Sequence, residues 1–264
     1  MRKTTLLAVA MAACLGYAPA QAAEVVSSNI VGYEKITLNA GWNMLGIQFV
    51  QVGQGEAMDL STFAALNPEM AGFDEDGNFA TELQVWNGLG YDMFGWSGSS
   101  GTDVLDTPDL DNKWLNGDLE LTDDVLDKAE GVWVKAGAAG TATIAGQVPT
   151  EDTITVNLRT GWNMVANPYP GQVDVTDFGV LSSGFPGFDE DGNFAVELQV
   201  WNGLGYDMYG WSGTSGTDVL DNSDLDNKWL NGDLEESDGT VLFGHGVWIK
   251  TDAAGTITFT NPAQ

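Results

Sequence analysis

The sequence is short of the side chains that most chemistry needs. Its 264 residues include one cysteine, one histidine and nine Lys or Arg against 38 Asp or Glu, for a formal net charge of −29. A surface so acidic repels phosphate backbones, which excludes nucleic acid as a partner, and it opposes docking on anionic lipid. No run of about 18 apolar residues follows the N-terminal region, so no membrane span is expected. There is no Gly-x-Ser-x-Gly elbow, phosphate-binding loop or dinucleotide fingerprint. His245 is the only imidazole, and the matching position of the chain's internal repeat is Glu130. These absences point away from an enzyme. An extracellular hydrolase stays as the remotest reading, because two carboxyl groups suffice for glycoside hydrolysis and 38 acids always supply a pair. The chain is also not of disordered type: 43% of residues are apolar and ten are Trp.

The first residues read as a leader. Arg2 and Lys3 precede the apolar stretch "LLAVAMAACLG", and Ala20-Gln21-Ala22 supplies small residues at cleavage-site spacing. A secretory signal peptide over 1–22 is expected, with the product outside the cell, on the outer surface or in the periplasm. Cys14 lies within it, and "MAA" before Cys14 fits a lipoprotein cleavage box poorly. Export would leave no thiol, disulfide or thiolate metal site.

What is abundant is repetition. "LQVWNGLGYDM" stands at 83–93 and again, letter for letter, at 198–208. Residues 72–120 match 187–235 at 44 of 49 positions, and "AGWNMLG" at 40–46 answers to "TGWNMVA" at 160–166. All ten Trp fall into matched pairs: 42/162, 86/201, 96/211, 114/229 and 133/248. The apolar residues come in short runs broken by Gly, Asn and Asp, which reads as strands and tight turns. "NGLG" is a hairpin turn and "DEDGN" another, and one short helical turn is expected around "DLSTFAALNPE" 59–69, capped by Asp59 or Ser61. The reading is all-β: two tandem sandwich-like or barrel-like modules, 23–149 and 150–264, with a boundary at "GQVPTED" 146–152.

"GWNMVANPYP" at 161–170, "QVWNGLGYDMYGW" at 199–211 and "GHGVWIKTDAAGTITF" at 244–259 together resemble a β module of exported tandem-repeat proteins of Gram-negative bacteria. The resemblance covers nearly all of the chain after the leader, and it implies a fold and a location but no activity. The first copy departs from the pattern, with "GIQFVQ" where the second has "ANPYPG".

Two candidate sites follow from the residues. The loops 106–120 and 221–235 concentrate side-chain oxygens, with Asp109, Asp111 and Asp118 in one and Asp224, Asp226 and Asp233 in the other. Hard oxygen donors at alternate loop positions suit Ca²⁺, the one cofactor the pattern favours, although neither loop is an EF-hand. Asp and Asn also serve turns by bonding their own backbone. The second candidate is aromatic. Strand alternation sets Leu83 and Val85 on one face and Trp86 on the other, and likewise Val132 and Val134 against Trp133. An outer row of Trp86, Trp133, Asp92, Phe94 and Trp96 is expected, repeated as Trp201, Trp248, Asp207, Tyr209 and Trp211. Such a face would stack on sugar rings or dock a protein, unless a loop such as 97–120 covers it. The functional expectation is an exported, non-enzymatic surface protein with a structural or adhesive role, its partner a second copy or another surface protein. The alternative is a bivalent glycan-binding protein with one weak site per module.

Overall fold

The computed structural model describes residues 30–53, 57–66, 70–99, 107–214 and 222–262. The expected leader with Cys14, and Asp106 and Asp221 of the acidic loops, lie outside them. The chain is all-β. In the first module β1 (Val31–Leu38), β2 (Gly41–Gly46), β3 (Ala57–Asp59), β4 (Ala64–Leu66), β5 (Glu82–Trp86) and β6 (Tyr91–Trp96) are followed by β7 (Trp114–Leu115), β8 (Val125–Asp127), β9 (Gly131–Ala136) and β10 (Gly140–Gln147). The second module repeats the order with β11 (Thr153–Leu158), β12 (Gly161–Ala166), β13 (Val173–Asp174), β14 (Val180–Leu181), β15 (Glu197–Trp201), β16 (Tyr206–Trp211), β17 (Trp229–Leu230), β18 (Thr240–Val241), β19 (Gly246–Thr251) and β20 (Gly255–Thr260).

Each module pairs an antiparallel five-stranded sheet with a three-stranded one. The orders are β2-β9-β5-β6-β7 with β1-β10-β4, and β12-β19-β15-β16-β17 with β11-β20-β14. Alternate residues of the two sheets meet in one core. In the first module these include Ile36, Leu45, Leu83, Phe94, Trp96, Trp114, Val134 and Ile144. The second module has its own core around Val165, Leu198, Trp211, Trp229, Ile249 and Ile257. At about 25 cal/mol per Å² of apolar surface, two such clusters supply the dominant folding term.

The repeated motifs are explained locally. In "GWN", Gly41 and Gly161 take φ of +94° and +93°, which an L side chain rarely adopts. Asn43, two residues on, ties the turn together: its amide donates to the carbonyls of Asn39 and Gly41, and its oxygen accepts from the Asn39 N–H at 2.8 Å. Asn163 does the same around Arg159 and Gly161. In "DEDGN" the Asp74 carboxylate accepts from the N–H groups of Asp76 and Asn78, which holds its pKa below the usual range. Phe79 then lies flat on the backbone of Gly95, where no Cβ would fit. The helical turn near Asp59 is a single 3₁₀ turn over Leu60–Thr62, capped by Asp59 accepting from the Ser61 N–H at 2.9 Å.

Candidate functional site: an aromatic seam

Hairpin parity decides which aromatics face out. Trp86 pairs with Tyr91, Val85 with Asp92 and Leu83 with Phe94. The loop between the strands thus holds four residues, Asn87–Gly90. The Asn87 side chain accepts from the N–H groups of Leu89 and Gly90, and Gly88 has φ +95°. Directly paired residues share a face. Tyr91 therefore stands with Trp86, whereas Asp92, Phe94 and Trp96 stand with Leu83 and Val85. The expected outer row is corrected accordingly: Trp96 is 1% exposed and packs edge-on against Trp114 in the core, and Trp211 does the same with Trp229. The missed members of the outer face are Tyr91 and Tyr206, with Trp42 and Trp162 from the neighbouring strands.

Trp86, Trp133, Trp201 and Trp248 do lie on the outer faces, and among the described residues it is not a loop that covers them. The other module does. Met44, Trp133, Met164 and Trp248 form a third buried cluster, with Trp86, Trp162 and Trp201 packed against it. The contacts are reciprocal. Trp86 meets Trp248 at 5.4 Å between centroids, and Trp201 meets Trp133 at 5.3 Å. The Trp86 indole donates to the Trp162 carbonyl at 2.9 Å, and that of Trp201 to the Trp42 carbonyl at 3.3 Å. The Gly46 N–H donates to the Gly244 carbonyl and the Ala166 N–H to the Ala129 carbonyl, both at 2.8 Å. The duplicated faces thus pack on each other about a pseudo-twofold axis.

Small residues allow this approach. A Cβ on Gly131 would stand 2.9 Å from Met164 Cγ, and one on Gly246 would stand 2.8 Å from the Leu45 carbonyl oxygen. These glycines open the two "GVW" strands, β9 and β19. The glycine before each valine therefore marks the place where backbone meets backbone across the seam.

Where the faces diverge, they leave an open cleft of about 250 Å³ lined by Trp86, Tyr91, Trp162, Gln199, Tyr206 and Trp248. Both modules contribute walls. Tyr91 and Tyr206 stay about 40% exposed, with the indoles of Trp133 and Trp248 beside their respective hydroxyls. Burial raises the pKa of both phenols, so they are neutral hydrogen-bonding groups at physiological pH. Beside the cleft, Lys250 pairs with Glu197 at 3.7 Å and lies 6.0 Å from the Trp162 ring centroid.

Two carboxyls are partly buried where the modules cross. Glu34 of β1 has an oxygen buried without a partner, close to where a Cβ on Gly244 would stand, and desolvation pushes its pKa to about 7. Glu130 lines a smaller cavity with Trp86, Asp127, Lys128 and Arg159. Its pKa is also about 7. Desolvation is the main cause and Asp127 adds to it, while Arg159 and the Asp127 N–H, which donates to the carboxylate, act the other way. His245, at the matching position, is partly buried and its pKa is lowered by desolvation.

The acidic loops give less. Among the described residues no group of three or more His, Cys, Asp or Glu could hold a metal ion. Asp109, Asp111 and Asp118 are not brought together as a ligand set, nor are Asp224, Asp226 and Asp233. What the described part of these loops shows is turn chemistry: Asn116 accepts from the N–H groups of Asp118 and Glu120, and Asn231 from those of Asp233 and Glu235.

No protein-family model matches the chain, and no curated protein matches it significantly. Among the described residues no helix is long and apolar enough to cross a membrane.

Proposed function

We propose that this chain is an exported, non-enzymatic β-repeat protein of the cell surface or extracellular space, with an adhesive role exercised by holding a neutral polysaccharide in the seam cleft. The observation that carries the reading is the cleft itself: Trp86 and Tyr91 from the first module face Trp162, Tyr206, Trp248 and the Gln199 amide from the second. Rings offer apolar faces to sugar C–H groups, while the amide and phenols offer donors and acceptors to hydroxyls. With a net charge of −29, an uncharged polymer is favoured over an anionic one. The pseudo-twofold axis brings Gln84, Trp42 and Trp201 into the equivalent place, so the support is for composite walls shared by the copies rather than for one site per module. The leader-like N-terminus and the resemblance to exported tandem-repeat β proteins support the location.

The test is a titration of the protein with a panel of neutral polysaccharides, chosen from a glycan array and followed by Trp fluorescence. Binding to at least one is expected. The double variant Gln84→Ala/Gln199→Ala should weaken it about tenfold or more, the worth of one or two hydrogen bonds. Its melting temperature should hardly move, because both side chains are only partly buried. No response to any neutral glycan, or a variant that binds as well as the parent, overturns the reading.

A further inference from the structure

The seam faces are built from nearly the same residues, yet they are not interchangeable. Gly46 and Ala166 occupy matching positions, and a Cβ on Gly46 would stand 2.5 Å from the Ala166 Cβ and 2.9 Å from the His245 carbonyl oxygen. Two second modules docked in this manner would bring Ala166 against Ala166, where there is room for one methyl group only. Arg159 of the second module donates to the Asn87 carbonyl of the first at 2.6 Å and lies beside Glu130. The first module has Asn39 in its place, so two first modules would lose the Arg159 contacts and leave both Glu130 carboxyls without the arginine. The favoured pairing is therefore first module with second.

The same contacts do not require that both modules belong to one chain. They join residues on either side of a short linker, Val148–Asp152. At one end the Val148 N–H donates to the Ile30 carbonyl. At the other the Asp152 and Glu151 carbonyls accept from Asn261 and the Tyr169 hydroxyl. We propose that the seam is also the surface on which copies of this chain assemble, the first module of one docking the second module of another. A closed pair of chains satisfies every seam contact twice, and an open series extends head to tail. The linker gives the intramolecular pairing a high effective concentration, so exchange becomes populated when chains fold at high concentration. This inference stands independently of the glycan reading, since it concerns the buried part of the seam and not the cleft.

The experiment uses the full mature chain, refolded from denaturant over a hundredfold range of concentration and measured by light scattering after separation by size. A species of doubled mass should grow with refolding concentration. Gly46→Ala should suppress it and increase tryptophan exposure, and Gly46→Ala/Ala166→Gly should restore it in part. Should Gly46→Ala fail to fold, removal of Pro149 and Thr150 provides the second arm: a linker too short to fold back should convert the protein to the doubled mass at every concentration. A protein that stays single in both arms overturns the proposal, and so does a doubled species that Gly46→Ala leaves unchanged.

Discussion

Replacing Trp248 with alanine is expected to separate the two modules while leaving both folded. Trp248 is 8% exposed, yet it belongs to neither module core. Its ring lies between Trp86 and Trp162, at 5.4 and 5.9 Å, with Tyr91 at 6.5 Å. Truncating a buried tryptophan costs about 3–5 kcal/mol, and here the loss falls on docking rather than on folding. Calorimetry should show the modules melting independently, with the β-sheet circular dichroism kept and the near-ultraviolet tryptophan signal reduced. Trp114→Ala provides the contrast. Trp114 is fully buried in the first core, so a similar loss should unfold the first module itself. If Trp248→Ala instead unfolds the second module outright, the residue is a core element and the seam is not a separable interface.

The second large effect is on pH. The Glu130 carboxyl titrates near 7 in the folded protein against an ordinary value of 4.5. Below 4.5 it is protonated in both the folded and the unfolded state. Between 4.5 and 7 only the unfolded chain gives up its proton, so the stability that Glu130 contributes falls as pH rises and levels off above 7. A shift of this size corresponds to about 3 kcal/mol. Glu34 acts in the same direction. His245 opposes them, because its lowered pKa withdraws stability as pH falls below its ordinary 6.5. Glu130→Gln isolates one group. The variant should match the parent at pH 4.5 and exceed it by about 3 kcal/mol at pH 8 in denaturant unfolding. Equal stability at both pH values would show that Glu130 is well solvated in the docked state.

The legible parts of this molecule were those set by local pattern. Duplication, strand and turn punctuation and the all-β architecture follow from the spacing of Gly, Asn and Asp around short apolar runs. The outer placement of Trp86 and Trp133 followed from alternation within each strand. Across the hairpin, alternation alone misplaces Trp96, because the face depends on loop length: four residues between Trp86 and Tyr91 place Trp96 in the core. What covers the outer face could not be read from either copy alone, since the covering surface is the other copy. One signal was present. Glycine stands at the start of β9 and β19, where a strand gains nothing from lacking a side chain, and such a glycine marks close approach of another backbone. The Gly46/Ala166 difference was visible too, but its meaning needs the axis on which those residues meet.

The central claim is that the duplicated tryptophan faces pack against each other. A double-mutant cycle across the seam tests it most directly, with Trp86→Ala in one module and Trp248→Ala in the other, each measured by denaturant unfolding. Residues 162 positions apart in sequence have no reason to couple unless they touch. An edge-on aromatic pair in contact is worth about 0.5–1.5 kcal/mol beyond area burial, so the double variant should lose less than the sum of the singles by at least that amount. Strict additivity of the two losses would contradict the seam.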